Sequence, residues 1–354
     1  MIVPESKIGI IGCGKMGRDI FNFLTQFPFR LTLICKSESA VNLLKDEFIK
    51  QQNRRLKYGL IDSETFNFRK AHTNFTTSLS QLKNAGLIIE SVTEELELKR
   101  KLFIQAQKII AKDCIIATNS SSISPDHLFA EISGPERGLG LHFFYPIAQK
   151  DIVEVNLAKM TSEKTLSIAN FFLQEINKFH ITLSYPHHFI MNRIFLRMQA
   201  GCGQLLDDGV ASVDEIDGLI KSRLFPVGVF EFFDHVGNDV MLESVHNYLI
   251  YESDQDFFRP LLKILEQKVQ QGELGVKSNV GFYKYPAPLK NQITETLNQP
   301  KLLKRITHWY LDGVYHAHRF AGLSKRELEH IVKEYMLIEK SPFELASEVG
   351  YTPK

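Results

Sequence analysis

The chain has 354 residues, 44% hydrophobic and 23% charged, enough to bury a full core across two or three domains. A formal net charge of +1 argues against a surface that coats nucleic acid and leaves room for one local anion site. Cys13, Cys35, Cys114 and Cys202 are scattered, with no CxxC pair and no His/Cys cluster at ligand spacing, so neither a disulfide scaffold nor a metal site is expected. That usage suits a reducing compartment. Met1 to Gly12 lacks a basic, cleavable apolar leader, and no window reaches the roughly 18 apolar residues that cross a bilayer. The expectation is a soluble cytoplasmic protein with no membrane partner. Its abundant Phe residues are read as core filling.

The first element is a short apolar strand, Lys7-Ile8-Gly9-Ile10-Ile11. Gly12-Cys13-Gly14-Lys15-Met16-Gly17 follows at once, and a helical pattern then runs through Ile20, Phe23, Leu24 and Phe27. A GxGxxG that leaves a strand and opens a helix is specific where a lone one is weak. Its first Gly permits the turn, the second lets a pyrophosphate approach the backbone, and the third lets helix pack on strand. The helix N-terminus offers its N–H groups to the phosphates. Dinucleotide binding is the reading.

The second strand, Leu31-Thr32-Leu33-Ile34, ends in Cys35-Lys36-Ser37. An NAD-binding fold usually places Asp or Glu here to hold the ribose hydroxyls. A cation and a hydroxyl in its place accept a 2′-phosphate, so NADP stands beside NAD, unless Glu38 does the carboxylate's work. Ser37 to Tyr58 is helical with a basic end at Lys45, Lys50, Arg54, Arg55 and Lys57. That end is either a solvated face or a clamp for the phosphates of a nucleotide-tailed substrate. Ala85 to Ser91 gives a strand, and a helix runs from Glu94 to about Ile110. Cys114 to Thr118 gives another strand, which enters Asn119-Ser120-Ser121-Ser122. Polar groups at the carboxyl ends of parallel strands are where open α/β sheets bind ligands. Ser124-Pro125 reads as a helix N-cap and first residue. Strand and helix alternate through Leu183, which predicts a doubly wound parallel sheet.

The stretch from Gly138 to Ala158 holds His142 and, after a loop at Tyr145 to Asp151, Glu154 among Ile152, Val153 and Val155. A Glu in such a strand needs a partner, because burying a lone carboxylate costs several kcal/mol. The loop brings Glu154 back toward His142. A His oriented by a carboxylate is the commonest general base at neutral pH. On the residues alone, the pair serves equally as a structural hydrogen bond at a strand edge.

After Leu183 the strands stop, and Tyr185-Pro186 marks a boundary. A long helix begins near Phe189-Ile190-Met191-Asn192-Arg193, and helical patterns continue to about Gln271. Ser278 to Tyr285 looks like a short ordered tail, and Pro286-Ala287-Pro288 a linker. An internal repeat follows. Asp208 to Asp217 is echoed by Phe320 to Glu329, and Phe230 to Gly237 by Phe343 to Gly350. The second copy carries no cofactor motif, so a packing role is expected of it.

Over nearly its whole length the sequence resembles the 3-hydroxyacyl-CoA dehydrogenase family. The resemblance rests on the glycine motif at Gly12 to Gly17, Glu90-Ser91-Val92-Thr93-Glu94 with Lys99, and Asn119-Ser120-Ser121-Ser122. It rests further on His142-Phe143-Phe144, Val153-Glu154-Val155, Phe189 to Arg193 and Gly281-Phe282-Tyr283. It implies an α/β Rossmann-like doubly wound sheet over residues 1–184 and an all-α C-terminal domain over 185–286. A second, partial helical copy would fill 287–354. It implies NAD-dependent interconversion of a 3-hydroxyacyl-CoA and a 3-oxoacyl-CoA, in fatty acid metabolism, by a homodimer more readily than a monomer. The catalytic set would be His142 as acid/base, Glu154 orienting it, and Ser121 and Asn192 bonding the substrate. The cofactor set would be Gly12, Gly14, Lys15, Met16, Gly17, Cys35, Lys36, Glu94, Lys99 and Asn119.

The chain departs from the family pattern in four places. Cys35 replaces an acidic residue, Tyr145 stands where the HFFNP motif has Asn, His188 replaces a Gly, and Val229 replaces the Pro of GPF. These put cofactor choice and acyl specificity in question and suggest a non-standard acyl-CoA or another 3-hydroxy acid. Two further readings stay open. One is a dehydrogenase of a free hydroxy acid, resembling lambda-crystallin or L-gulonate 3-dehydrogenase. The other is a non-catalytic nucleotide-binding relative.

Overall fold

A computed structural model describes residues 2, 5–250, 252, 254–286, 299–336, 338 and 340–353. The chain divides into two compact units, Met1–His188 and Phe189–Lys354.

In the first unit the elements are β1 (Lys7–Ile11), α1 (Lys15–Leu24), β2 (Arg30–Ile34), α2 (Glu38–Lys57), α3 (Ser63–His72), β3 (Thr73–Thr76), β4 (Leu87–Glu90), α4 (Leu96–Ala106), β5 (Ile115–Thr118), α5 (Pro125–Leu128), β6 (Gly138–Phe143), β7 (Ile152–Leu157), α6 (Glu163–Glu175) and β8 (Phe179–Ser184). They form one eight-stranded sheet in the order β3-β2-β1-β4-β5-β6-β7-β8. Strand side chains alternate between two cores. Ile8, Ile10, Leu31, Leu33, Ile89 and Leu141 pack with α1, α2 and α6 on one face. Ile88 and Ile116 pack with Phe103, Ala106, Leu128 and Phe129 of the α4–α5 side on the other. This is the doubly wound arrangement that the near-continuous apolar strands imply.

The sheet differs from an all-parallel one in one pairing. β7 runs antiparallel to β6, because the short loop after His142 turns the chain straight back, with no crossover helix. β8 runs parallel to β7, and so opposite to the strands from β3 to β6. The sequence pattern also passes from α2 to β4 without showing α3 and β3. β3 is a four-residue edge strand with no fully buried residue, too short and polar to declare itself by alternation. The basic last turn of α2, with Arg54, Arg55 and Lys57, complements the helix dipole.

The second unit holds α7 (Ile190–Asp207), α8 (Val213–Arg223), α9 (Val229–Val236), α10 (Asn238–Leu249), α11 (Arg259–Gln270), α12 (Pro300–Phe320), α13 (Lys325–Met336) and α14 (Pro342–Glu348). α7 is its central helix, packed by α11 and α12. Glycines set the closest approach: a Cβ at Gly313 of α12 would lie 2.0 Å from Ile194 O, and one at Gly201 would lie 2.2 Å from the Trp309 ring. Two of the segments echoed in the sequence open helices with the same cap. α8 begins with a capping box between Ser212 and Glu215. α13 begins with the same reciprocal bonds: Ser324 N donates to Glu327 Oε2 at 2.7 Å, and Glu327 N to Ser324 Oγ at 3.2 Å. The tail at Ser278 to Tyr285 is fastened by two buried aspartates. Asp234 accepts from Phe282 N at 2.9 Å, Tyr283 N at 2.8 Å and the Tyr285 hydroxyl at 3.0 Å. Asp217 accepts from Phe230 N at 3.1 Å, Glu231 N at 2.9 Å and the Tyr283 hydroxyl at 3.0 Å. Ala287 and Pro288 of the expected linker lie outside the described residues. Among the described residues no helix is long and apolar enough to cross a membrane.

Candidate active site

The carboxyl ends of β1, β4, β5 and β6 point the same way, and the order of strands reverses between β1 and β4. That edge collects the site residues of the first unit.

The glycine turn leaves β1 there. Gly12 has φ +110°, and a Cβ on it would lie 2.4 Å from Ser91 O. A Cβ on Gly17 would lie 1.9 Å from Gly12 O, whereas one on Gly14 would meet nothing within 4 Å. Gly12 and Gly17 are thus required by the fold, and Gly14 leaves an open approach. α1 starts at Lys15 with no side-chain cap and no acidic residue in its first turn. Its N–H groups and open cradle fit a dinucleotide diphosphate. Lys15 Nζ lies 3.9 Å from the Tyr145 ring centre.

Below the turn lies a buried charge network. Glu90, fully buried at the end of β4, accepts from Val92 N at 2.6 Å, Thr118 Oγ1 at 2.6 Å and Lys99 Nζ at 2.7 Å. Lys99 also lies 3.1 Å from Glu94 Oε2 and 3.3 Å from Val92 O. The other oxygen of Glu94 accepts from Ser120 Oγ at 2.5 Å, Ser121 N at 2.9 Å, and Ser122 N and Oγ at 3.0 Å. Burial alone would raise the Glu94 carboxyl. The Lys99 ammonium and the bonds from Ser120 and Ser121 outweigh it and hold the group below its usual range. Burial likewise opposes the charge on Lys99, and Glu90 with Glu94 pushes it up. Lys99 is 1% exposed and points to the two carboxylates and a carbonyl. Lys99 thus holds Glu94 in place from beneath. Glu90, the residue that organises the network, was not among the expected site residues. Its signal was an acid closing an otherwise apolar strand.

β6 supplies the histidine. His142 faces Glu154 across the antiparallel ladder, and its Nδ1 lies 2.7 Å from Glu154 Oε2. Glu154 is fully buried and His142 is 5% exposed. Donation from Nδ1–H to the carboxylate fixes the tautomer and leaves Nε2 the basic nitrogen. Asn119 Oδ1 accepts from Phe143 N at 2.9 Å and ties β5 to the strand that carries the histidine. The loop beyond is held as well: Ile147 N donates to Asp19 Oδ2 of α1 at 2.8 Å, and Lys178 Nζ to Ile147 O at 2.6 Å. Tyr145 of this loop lines a cavity of about 350 Å³ together with Lys15, Arg18, Glu47, Gln51 and Phe75. His188 is buried, its Nε2 2.8 Å from Leu157 O and its Nδ1 3.3 Å from Ser124 Oγ.

At the end of β2, Cys35 is buried and Lys36 is exposed. Ser37 caps α2 by accepting from Ala40 N at 3.3 Å, and Glu38 accepts from Thr77 Oγ1 at 2.6 Å. Asn192 lies in the second unit, early in α7, where its Nδ2 donates to the Tyr248 hydroxyl at 2.7 Å. The first unit thus brings together His142, Glu154, Ser121, Asn119, Glu94 and the glycine turn along one sheet edge.

Comparison with known proteins accords with this geometry. Residues 7–185 match the family "3-hydroxyacyl-CoA dehydrogenase, NAD binding domain", and residues 189–285 match "3-hydroxyacyl-CoA dehydrogenase, C-terminal domain". The 3-hydroxybutyryl-CoA dehydrogenase of Clostridioides difficile is 29% identical over 280 residues, which span 79% of this chain and 99% of that protein. The mitochondrial hydroxyacyl-coenzyme A dehydrogenase of Mus musculus is 31% identical over 290 residues, 78% of this chain and 90% of its own. The crystal structure of (S)-3-hydroxybutyryl-CoA dehydrogenase from Ralstonia eutropha superposes with a TM-score of 0.70 at 29% identity, over 79% of this chain and 99% of that one. The structure of an Escherichia coli K12 3-hydroxybutyryl-CoA dehydrogenase shares the fold over 98% of this chain and 92% of its own, with a TM-score of 0.81 at 20% identity. With a matching dinucleotide-binding domain, a matching helical domain and a carboxylate-paired histidine at the carboxyl edge of the sheet, the chain belongs to the 3-hydroxyacyl-CoA dehydrogenase family of nicotinamide-dependent oxidoreductases.

Proposed function

We propose that the protein interconverts a (S)-3-hydroxyacyl-CoA and the matching 3-oxoacyl-CoA with His142 as proton carrier. The observation that carries the reading is the 2.7 Å His142–Glu154 bond in a buried setting. In oxidation the substrate hydroxyl gives its proton to His142 Nε2, and Glu154 stabilises the imidazolium that forms. In reduction the imidazolium returns that proton to the oxygen. Ser121 and Asn192 hydrogen-bond the substrate oxygen or thioester carbonyl and fix C3 for transfer. Gly12, Gly14, Lys15, Met16 and Gly17 hold the cofactor diphosphate, and Asn119 and Glu94 face its nicotinamide end, with Lys99 bracing Glu94. The nicotinamide, when bound, supplies the hydride acceptor or donor.

The end of β2 supports acceptance of NADP beside NAD. Cys35 offers no negative charge to repel a 2′-phosphate, Glu38 is engaged with Thr77, and Lys36 is an exposed cation. Tyr145, three residues beyond His142 where the family motif has Asn, supports an acyl group other than the simplest one. Asp207 is the one exposed residue of α7, and α12 of the same chain lies along it. A monomer is therefore the state we expect, in place of the homodimer that the resemblance implied. Static light scattering checks it.

The test of function is reduction of acetoacetyl-CoA and longer 3-oxoacyl-CoAs with NADH and, separately, NADPH. Turnover with both cofactors, lowered roughly a hundred- to ten-thousandfold in His142→Ala, is expected. Equal turnover by the variant and the parent overturns the assignment of His142. Fast, selective turnover of acetoacetyl-CoA alone overturns the non-standard acyl group.

A further inference from the structure

Two cysteines follow the neighbouring ends of the first two strands. β1 and β2 run in register with Ile11 beside Ile34, and Gly12 N donates to Ile34 O at 3.0 Å. The chain leaves β1 through Cys13 and β2 through Cys35, so the two residues follow neighbouring strand ends, and both pack in the same core cluster over α1 and α2. Cys35 is 4% exposed, while Cys13 is half-buried at the surface of the glycine turn. Cys114 and Cys202 are each fully buried, one in each unit. The pair stands beside the open cradle at Gly14, on the strand end where a dinucleotide-binding sheet holds its ribose.

We propose that Cys13 and Cys35 are an oxidisable dithiol, and that its closure to a disulfide by a peroxide switches off dinucleotide binding. The inference rests on the reading of the glycine turn as the cofactor site. The peroxide reacts first at Cys13, the accessible sulfur. Its O–O bond breaks, a sulfenic acid forms, and water or an alcohol leaves. The Cys35 sulfur then attacks the Cys13 sulfur: the S–S bond forms, the S–O bond breaks, and the hydroxyl departs as water with the Cys35 proton. The two thiols have then lost two electrons, which the peroxide has accepted. Burial pushes the Cys35 thiol up to about 12, with neighbouring Cys13 adding to the rise, so Cys35 is the resolving sulfur and not the first to react. The disulfide pins the turn to β2 and removes two S–H groups from the edge of the ribose position.

The experiment uses the full chain, reduced and then treated with hydrogen peroxide. Peptide mapping follows the sulfurs, and calorimetry follows NAD and NADP binding. The expected result is one linked Cys13–Cys35 peptide, Cys114 and Cys202 still as thiols, and cofactor affinity at least roughly tenfold weaker, restored by dithiothreitol. Cys13→Ala and Cys35→Ala should each bind with an affinity that peroxide leaves unchanged. Over-oxidation of Cys13 without a link overturns the dithiol. A link that leaves affinity unchanged overturns the switch. A link formed in a protein that binds neither cofactor when reduced overturns the cofactor reading, and the switch with it, while the dithiol stands.

Discussion

At the scale of single residues, chemistry and stability separate between two carboxylates. Glu154 acts on His142. Its replacement by Gln preserves the shape but removes the charge that stabilises the imidazolium, so kcat should fall by roughly a hundredfold or more with KM little changed, as steady-state kinetics would show. Glu94 acts on the fold and the cofactor edge. Its folded value lies below the ordinary carboxylate value. It therefore stabilises the native state above the ordinary value, and that contribution is lost as pH falls through the depressed one. Lys99 is raised, so its contribution is present below the ordinary lysine value and is lost as pH rises through the raised one. Melting temperature should drop on the acid side of the carboxylate range, and Glu94→Gln should flatten that drop. Lys99→Met leaves Glu90 and Glu94 without their cation and should cost about 3–5 kcal/mol in urea unfolding. The sequence made His142 and Glu154 legible, because a carboxylate among β-branched residues demands a partner and a short loop supplies it. It left the direction of Lys99 illegible, because a lysine on a helix reads as solvated until the strand beneath it is known to end in Glu90.

At the scale of elements, the glycine turn separates folding from binding. Gly14→Ala meets no atom within 4 Å, so the melting temperature should hold while cofactor affinity falls. Gly17→Ala drives a methyl into Gly12 O, so the melting temperature itself should fall. Scanning fluorimetry and calorimetry on the two variants give the contrast. The strand–turn–helix pattern made this element readable in full. The fold-back of β7 onto β6 was legible in the loop at Tyr145 to Asp151, but alternation, which gives a strand's faces and not its direction, did not show that it breaks the otherwise parallel sheet. β3 escaped because a polar four-residue edge carries no period to detect, and α3 because its one buried residue is Arg69 and no apolar stripe marks it.

At the scale of the whole molecule, the second helical unit is organised by what fits against α7. Gly313→Leu puts a side chain on a helix face where even a Cβ would lie 2.0 Å from Ile194 O. It should separate α12 from α7 and lower the thermal midpoint by several degrees, as expected for a loss of about 2 kcal/mol or more. The repeat was legible as paired sequence echoes, and the capping boxes at Ser212 and Ser324 explain why those echoes sit where they do. What the echoes did not convey is how differently the copies are fastened. Asp217, 1% exposed, holds the start of α9 and the tail tyrosine. Glu329, at the matching place in the second copy, is exposed and, among the described residues, accepts from the Ser341 hydroxyl alone, at 2.6 Å. Duplicated helices so unequally anchored open unequally. In deuterated buffer, the amides of α13 and α14 should exchange well before those of α8 and α9.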